Sequence, residues 1–153
     1  MNIVRGNEDP RRLFPQRHVG VMKVRAIRRQ RSECPDEARR FIPGDGAFVT
    51  IGEEYPVYAL SVFDGVVALQ IVDDLRCPAW YPFVLFELLD HELPRDWQCA
   101  LFPHDDLRGC AMVIGPEFVA RDQAAYRAMV ELEADQVGRF WKRVDLLSEE
   151  DVS

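Results

Sequence analysis

The sequence between residues 57 and 72 reads Val57-Tyr58-Ala59-Leu60-Ser61-Val62-Phe63-Asp64-Gly65-Val66-Val67-Ala68-Leu69-Gln70-Ile71-Val72. Two apolar runs, residues 57–63 and 66–72, flank the dipeptide Asp64-Gly65. Asp-Gly supplies the two residues tolerant of positive φ that a two-residue hairpin turn requires. We therefore predict that the two runs pair as antiparallel strands. Because both runs are almost continuously apolar, we expect them to be buried on both faces or covered by a helix on one face.

Upstream of this hairpin, the sequence predicts extended segments and one short helix. Residues 19–27 are rich in β-branched side chains and are a strand candidate. In the polar stretch that follows, Cys34-Pro35-Asp36-Glu37 suits the first turn of a short helix that runs through Arg40, since proline is favoured at the first helical position. Residues 47–51 then return to extended character.

Downstream of the hairpin, we expect further strands. Residues 80–86 read as a strand, and Pro82 within it predicts an edge position or a bulge because proline has no N–H to donate to a neighbouring strand. Residues 97–102 and 110–114 read as a last hairpin. The loop between them contains proline, glycine and two aspartates, which favour turns.

The last third of the chain has the composition of helices. From residue 117 to residue 147 there is no proline and one glycine, and good helix formers are abundant. We expect two helices that meet near residues 133–135, where Asp135 can cap the second one. An apolar stripe on the second helix predicts that it covers the sheet. The stripe consists of Val137, Phe140, Trp141, Val144 and Leu147.

Together these segments predict a single α+β domain over residues 19–147, β-rich over residues 19–115 and helical over residues 116–147. We expect the β part to be a small antiparallel, strongly bent sheet or an SH3-like barrel of five to six strands, covered by the C-terminal pair of helices. A basic arm over residues 1–18 is expected before the domain, and a frayed tail over residues 148–153 after it.

Charge is unevenly distributed along the chain. The net charge is −7, but residues 1–40 hold eleven Lys/Arg against five Asp/Glu, a net charge of +6. Residues 41–153 hold eight Lys/Arg against twenty-one Asp/Glu, a net charge of −13. An acidic body of this kind repels phosphate backbones and attracts a cationic partner. The basic arm either folds back onto the body or contacts a partner of its own.

The sequence has no segment that predicts membrane insertion or export. No apolar run approaches the roughly 20 residues of a membrane span, and the arginine-rich start of the chain lacks the apolar core of a secretory signal. We therefore expect a cytoplasmic protein. In a reducing compartment Cys34, Cys77, Cys99 and Cys110 are expected to be thiols, and pairing or metal binding by Cys99 and Cys110 stays open.

The residue inventory excludes several classes of enzyme. There are four serines and two lysines, none of them placed in a Gly-x-Ser-x-Gly elbow or a phosphate-binding loop. His91-Glu92-Leu93-Pro94-Arg95 begins like a zinc-protease motif, but it ends in arginine and its proline would break the helix. His104 with Asp105 and Asp106 has no standard zinc-ligand spacing. We therefore predict no enzymatic activity, no cofactor and no metal.

Three pairs of acidic residues lie in or beside predicted turns and are candidates for partner binding. Loops at one end of a barrel cluster together, so their acids can face Arg and Lys of a basic partner. Solvated surface charge is the alternative, and a catalytic dyad would need burial that such loops rarely provide. Trp80 is included because aromatic residues are enriched at interfaces. The candidates are Glu53, Glu54, Asp73, Asp74, Trp80, Asp105 and Asp106.

Several short motifs carry a resemblance to a known group of proteins. They are Gly52-Glu53-Glu54-Tyr55-Pro56-Val57-Tyr58-Ala59-Leu60, then Ala79-Trp80-Tyr81-Pro82 through Leu85-Phe86-Glu87, then Leu93-Pro94-x-x-Trp97, and the tail from Ile114-Gly115 to Phe140. Over roughly residues 50–145 the chain resembles small bacterial proteins with an SH3-like barrel followed by helices. Some of these resemble immunity proteins of polymorphic or contact-dependent toxin systems. The shared motifs are turn and core residues, so the resemblance implies a fold and assigns no functional residue.

These observations predict a non-enzymatic cytoplasmic immunity protein. It would bind a cognate basic toxin, such as a nuclease domain, and neutralise it through the acidic loops. The alternative is a nucleic-acid-associated or regulatory binding module that uses Arg11, Arg12, Arg28, Arg29 and Arg31. We rank nucleic acid below a protein partner, because the arginine-rich segment from residue 5 to residue 31 contains Phe14 as its one aromatic residue.

Overall fold

The structure is a computed structural model that describes residues 20–102 and 109–152. Within these residues the chain forms eight strands, four α-helices and two short 3-10 turns. The strands are β1 (Met22–Ala26), β2 (Glu54–Val57), β3 (Ala59–Phe63), β4 (Val66–Val72), β5 (Pro78–Pro82), β6 (Phe86–Leu88), β7 (Gln98–Leu101) and β8 (Cys110–Gly115). The α-helices are α1 (Asp36–Arg39), α2 (Glu117–Ala120), α3 (Gln123–Val130) and α4 (Ala134–Val152), and the 3-10 turns are Arg31–Glu33 and Phe83–Leu85.

The predicted hairpin around Asp64-Gly65 is the centre of the larger sheet. Strands β3 and β4 pair antiparallel, with Phe63 opposite Val66. Asp64 and Gly65 have φ values of 48° and 78°, and positive φ at both central residues is the hairpin geometry for which Asp-Gly is favoured. The five-stranded sheet has the order β5-β4-β3-β8-β7. Of the edge position or bulge predicted at Pro82, the edge position is confirmed, and so is the predicted hairpin of β7 with β8. The strand predicted over residues 80–86 is wrong in its bounds, because β5 ends at Pro82 and a 3-10 turn separates it from β6 in the other sheet.

A second sheet, with the order β2-β1-β6, corrects the prediction of one bent sheet or barrel. The described strands form two antiparallel sheets that are not a closed barrel, and there are eight strands where five to six were expected. The chain changes sheet at Tyr58, which interrupts the run predicted as one strand, and again after Pro82, where a 3-10 turn precedes β6. Residues 47–51 form no strand. The α+β class itself is confirmed.

The five-stranded sheet is the middle layer of the fold and has a core on each side. Leu69 and Ile71 of β4 face the three-stranded sheet, where they join a cluster with Val24 of β1. On the opposite side, Ala59 of β3 and Phe140 of α4 belong to the second cluster. The almost continuous apolarity of the central hairpin is explained by this burial on two faces.

The C-terminal helices cover the sheet as the apolar stripe predicted, but the described residues form three of them, α2, α3 and α4, where a pair was expected. The rings of Tyr58 and Phe140 meet edge to face with centroids 5.0 Å apart. Helix α3 begins after Asp122, whose carboxylate accepts a hydrogen bond from the Ala125 N–H at 2.8 Å. Leu132, with φ 55°, separates α3 from α4, and Asp135 lies in the first turn of α4. Helix α4 continues to Val152, beyond the start of the predicted frayed tail.

Two of the predicted features fall outside the described residues. They are the basic arm, residues 1–18, and the acidic pair Asp105-Asp106. Among the helices of the described part, none is long and apolar enough to cross a membrane.

Candidate acidic recognition site

Three of the predicted acidic residues meet around one surface depression of about 470 Å³. Glu54 reaches it from the start of β2, and Asp73 and Asp74 reach it from the turn between β4 and β5. The opposite wall comes from Val144 and Ser148 of helix α4. We call this concavity the acidic depression. Its remaining lining residues are Tyr55, Pro56, Tyr58, Val72 and Arg76.

Asp73 is buried, and its carboxylate accepts hydrogen bonds within the turn and is not exposed to solvent. It is 5% exposed. Its Oδ1 accepts hydrogen bonds from the N–H groups of Leu75 at 3.0 Å and Cys77 at 3.1 Å, and its Oδ2 accepts one from the Tyr81 hydroxyl at 3.0 Å. These contacts hold the turn in which Arg76 adopts a φ of 60°. Asp73 therefore positions its neighbours and is not a contact residue for a partner.

Asp74 is exposed but held in one orientation. Its Oδ1 accepts a hydrogen bond from the Tyr55 hydroxyl and its Oδ2 accepts one from the Thr50 hydroxyl, both at 2.7 Å. The Tyr55 oxygen in turn accepts the Thr50 N–H at 2.8 Å. Burial raises the pKa of Tyr55, and the carboxylate of Asp74 raises it further. The phenol therefore stays a proton donor, and Asp74 is presented as a fixed carboxylate.

Glu54 is exposed and belongs to a short charge ladder across the three-stranded sheet. The Arg25 guanidinium lies 3.3 Å from Glu54 and 2.8 Å from Glu87, on the strands to either side of β1. Arg25 contacts Oε1 of Glu54, and the Glu54 side chain is 52% exposed where it lines the acidic depression. Glu53 precedes it and is exposed, but it does not line the depression.

Trp80 lies apart from the acidic depression. It is on the helix-facing side of β5, opposite Gln70 of β4, and its ring meets Tyr126 of α3 edge to face at 5.5 Å. It packs into the core between sheet and helices. The sequence could not distinguish this role from an interface role, because both favour a large aromatic residue next to a turn.

Arg76 and two tyrosines were not among the predicted residues. The Arg76 guanidinium lies 5.7 Å from the centre of the Trp141 ring, which places a cation on the wall of an otherwise acidic concavity. Tyr55 and Tyr58 supply aromatic surface and are mostly buried. Burial raises the pKa of Tyr58, and the nearby Arg76 opposes that rise. No local signal marks these residues, because they meet only when β2, the β4–β5 turn and α4 come together.

The C-terminal end of helix α4 adds negative potential at the same place. Ser148, which lines the depression, is in the last turns of this 19-residue helix. Helix C-termini carry partial negative charge and are stabilised by basic residues. The last turn of α4 has no basic residue, and Asp145 and Glu149 lie close to it in sequence. Apart from Arg76 on the wall, the charged groups at the depression are acidic, and this arrangement favours an approaching cation.

Three of the arginines proposed for the alternative nucleic-acid-binding module, Arg28, Arg29 and Arg31, lie in the described residues and hold a loop in place. Guanidinium groups of Arg28 and Arg29 donate to the backbone oxygens of Val84 at 2.8 Å and Ala47 at 3.0 Å, and Arg31 donates to Ile42 O. Arg11 and Arg12 lie outside the described residues. These contacts hold the loop before β2 in place. Because the three guanidinium groups already donate to backbone oxygens, they support phosphate binding less well than the acidic depression supports cation binding.

The described residues also contain a second concavity, an apolar groove of about 580 Å³ between α1, the β3–β4 hairpin and the 3-10 turn after Pro82.

Across residues 20–102 and 109–152 no group of three or more His, Cys, Asp or Glu is arranged to hold a metal ion. His91 is exposed, and His104 is outside this part of the chain. Comparisons of the chain with protein-family models, with curated proteins and with solved structures found no match.

Proposed function

We propose that this chain is a non-enzymatic immunity protein that binds a cationic bacterial toxin domain in the cytoplasm and blocks it. The observation that carries the proposal is the pair of accessible carboxylates, Glu54 and Asp74, at one depression beside the acidic end of α4. The proposed contact set differs from the one expected from sequence. Glu54 and Asp74 contact the partner, the exposed Glu53 adds negative charge next to Glu54 in sequence, and Asp73 positions the turn.

The chemistry of the acidic depression suits an arginine or lysine side chain. A guanidinium donates charge-assisted hydrogen bonds to carboxylates, which are stronger than neutral ones. Asp74 is already held by Tyr55 and Thr50, so little side-chain freedom is lost when a partner binds. Tyr55 and Tyr58 line the depression but are buried, so they shape its wall and leave the direct contacts to the carboxylates.

Long-range charge adds to this local fit. With a net charge of −13 over residues 41–153, the body of the protein raises the encounter rate with a basic partner before any contact forms. A toxin domain that acts on nucleic acid must itself present a cationic face to phosphate groups. A protein that covers such a face with carboxylates would block its substrate.

The test is co-expression with the product of the neighbouring gene, whose toxicity is first measured alone, followed by binding kinetics with the same protein. We expect the wild-type chain to relieve toxicity. A double variant, Glu54→Gln with Asp74→Asn, should slow association by about tenfold at low salt and reduce its salt dependence, since the loss of two interface charges weakens electrostatic steering of the encounter.

A matched control removes the same charge elsewhere. Glu131→Gln with Glu133→Gln changes two exposed acids just before the start of α4, roughly 16 Å or more along the helix from Val144, a residue that lines the acidic depression, at 1.5 Å per helical residue. This variant should associate nearly as fast as the wild type. Equal association rates for the two double variants would contradict the proposed site. A wild-type chain that neither binds nor protects would contradict the immunity function.

A titration with DNA and RNA at two salt concentrations tests the alternative binding module. Phosphate contacts give a steep loss of affinity with salt. We expect no salt-sensitive binding to either nucleic acid at the affinities typical of nucleic-acid-binding proteins.

A further inference from the structure

The two open sheets have four edges, and three of them carry features that prevent pairing with another strand. Proteins protect edge strands with proline, charge or short length. Strand β5 begins and ends with proline, at Pro78 and Pro82. Strand β2 contains Pro56. Strand β6 has three residues, and its Glu87 is charged and paired with Arg25.

The fourth edge, β7, has none of these features. Its sequence is Gln98-Cys99-Ala100-Leu101, without proline or charge. Cys99 is exposed, and Leu101 is 73% exposed, the highest value among the large apolar residues that the structure describes. Within residues 20–102 and 109–152, β7 pairs with β8 and with no other strand. A neutral, apolar and unprotected edge is a template for further strand pairing.

The pairing with β8 shows which main-chain groups of β7 point outward. The Phe102 N–H donates to the Ala111 oxygen at 2.9 Å, so Phe102 and Ala111 are a hydrogen-bonded pair. In an antiparallel ladder hydrogen-bonded pairs alternate with non-hydrogen-bonded ones. Ala100, opposite Val113, therefore directs its N–H and C=O toward β8. The N–H and C=O groups of Cys99 and Leu101 are directed to the open side.

We propose that β7 is the interaction surface for a second copy of this chain. Two β7 strands pair antiparallel about a two-fold axis at Ala100, so that Cys99 of each copy lies opposite Leu101 of the other. The outward groups of these residues then form four hydrogen bonds, and the two five-stranded sheets become one sheet of ten strands. The pair is closed, because a two-fold interface uses the same patch on both copies.

A second copy is the occupant for two reasons. Pairing requires a strand edge that is itself unprotected, and among the described edges of this chain β7 alone qualifies. The edge is also uncharged, so no like charges meet within the ladder. The rest of the molecule does repel its copy, since each chain carries a net charge of −7. Salt screens such repulsion, so association through β7 should strengthen as ionic strength rises.

This salt dependence has the opposite sign to that of the proposed cation binding, which weakens with salt. The two proposals therefore fail separately. Loss of self-association says nothing about the acidic depression, and loss of toxin binding says nothing about β7.

The first experiment is cysteine cross-linking of the full chain under mild oxidation. Across a non-hydrogen-bonded pair the Cα atoms are about 4.5 Å apart, within the range that a disulfide spans. We expect Ala100→Cys, in a background with Cys77→Ser and Cys99→Ser, to form covalent dimers in high yield. The matched control is Cys99→Ser alone, in which the remaining exposed thiol, Cys77, lies outside β7. Equal dimer yields from the two proteins would overturn the proposed register.

The second experiment is analytical ultracentrifugation of the full chain across protein and salt concentrations. We expect Leu101→Lys to weaken the dimer by about tenfold or more, because it places charge in the ladder. Ile51→Lys is the matched control, since Ile51 is 54% exposed and lies in a turn next to the other sheet. A wild-type chain that is monomeric at all salt concentrations with Kd weaker than about 1 mM overturns the proposal. So does equal association of the two variants.

Discussion

The Asp73 carboxylate accepts a hydrogen bond from the Tyr81 hydroxyl at 3.0 Å, and both residues are buried. The phenol oxygen also accepts the Phe48 N–H at 3.3 Å. Burial raises the pKa of Tyr81 above its usual value, and Asp73 raises it further. The pair ties the β4–β5 turn to β5 and to the loop before β2. It thereby fixes Asp74, the next residue, at the acidic depression.

Removal of the Asp73 carboxylate should strongly destabilise the fold. In Asp73→Ala, the Tyr81 hydroxyl and the N–H groups of Leu75 and Cys77 lose their acceptor, and we expect the free energy of unfolding to fall by roughly 3 kcal/mol. Chemical denaturation measures this. Glu53→Ala, at an exposed position with no side-chain hydrogen bond or ion pair to another described residue, should change it by less than about 0.5 kcal/mol. Similar losses in both variants would contradict the role of Asp73.

Gln70 should be a site where an apolar substitution stabilises the protein. It is 0% exposed, and among the described residues neither its amide nitrogen nor its amide oxygen has a hydrogen-bond partner. An unsatisfied buried polar group costs about 1–3 kcal/mol. We expect Gln70→Leu to raise the free energy of unfolding by about 1 kcal/mol, measured by thermal or chemical denaturation.

Gln136 is the matched control for Gln70. It is also buried, but its Nε2 donates to the backbone oxygens of Phe118 at 2.7 Å and Ala125 at 3.0 Å. Gln136→Leu removes both bonds between α4 and the preceding helices, and it should lower stability by about 2 kcal/mol. The same sign for the two substitutions would show that hydrogen bonding does not decide their effects.

The four thiols should divide into two reactivity classes. Cys77 and Cys99 are exposed, whereas Cys34 and Cys110 are each 5% exposed. Burial raises the pKa of Cys34 and of Cys110, which lowers the fraction of reactive thiolate. We expect two equivalents of a thiol reagent to react rapidly with the folded protein and two more after denaturation. Mass spectrometry of peptides identifies the modified residues.

Acid should weaken the start of helix α3 through Asp122. The Ala125 N–H lowers the pKa of this carboxyl below its usual value of 3.8, and Arg121 lowers it further. A lowered pKa means that the carboxylate stabilises the fold above pH 3.8 and that this contribution is lost as pH falls through the folded value. We expect Asp122→Asn to keep the cap but to show a shallower loss of stability below about pH 4. An unchanged acid slope would contradict this assignment.

Local signals predicted the parts of the fold that depend on neighbours in sequence. Asp64-Gly65 predicted the hairpin, Pro82 predicted an edge position or a bulge, and the apolar stripe with Phe140 predicted the helix that covers the sheet. The break at Tyr58 could not be predicted, because apolar residues continue through it. Only the pairing of Val57 with Met22 on one side and of Ala59 with Gln70 on the other separates the two strands.

The candidate site also combines features that the sequence predicts with features that depend on tertiary contacts. Asp73 and Asp74 are adjacent acids in one turn, so residue type alone cannot distinguish their roles. Tyr81 lies eight positions after Asp73 and Tyr55 nineteen positions before Asp74, and these contacts make one carboxylate internal and leave the other accessible. The sequence alone predicted the turns, the helical segments, the α+β class and the sign of the charge, because each depends on residue type or on short spacing. The tertiary structure decided the division into two sheets, the orientation of each acid and the unprotected edge at β7, because burial and hydrogen-bond partners come from residues far apart in the chain.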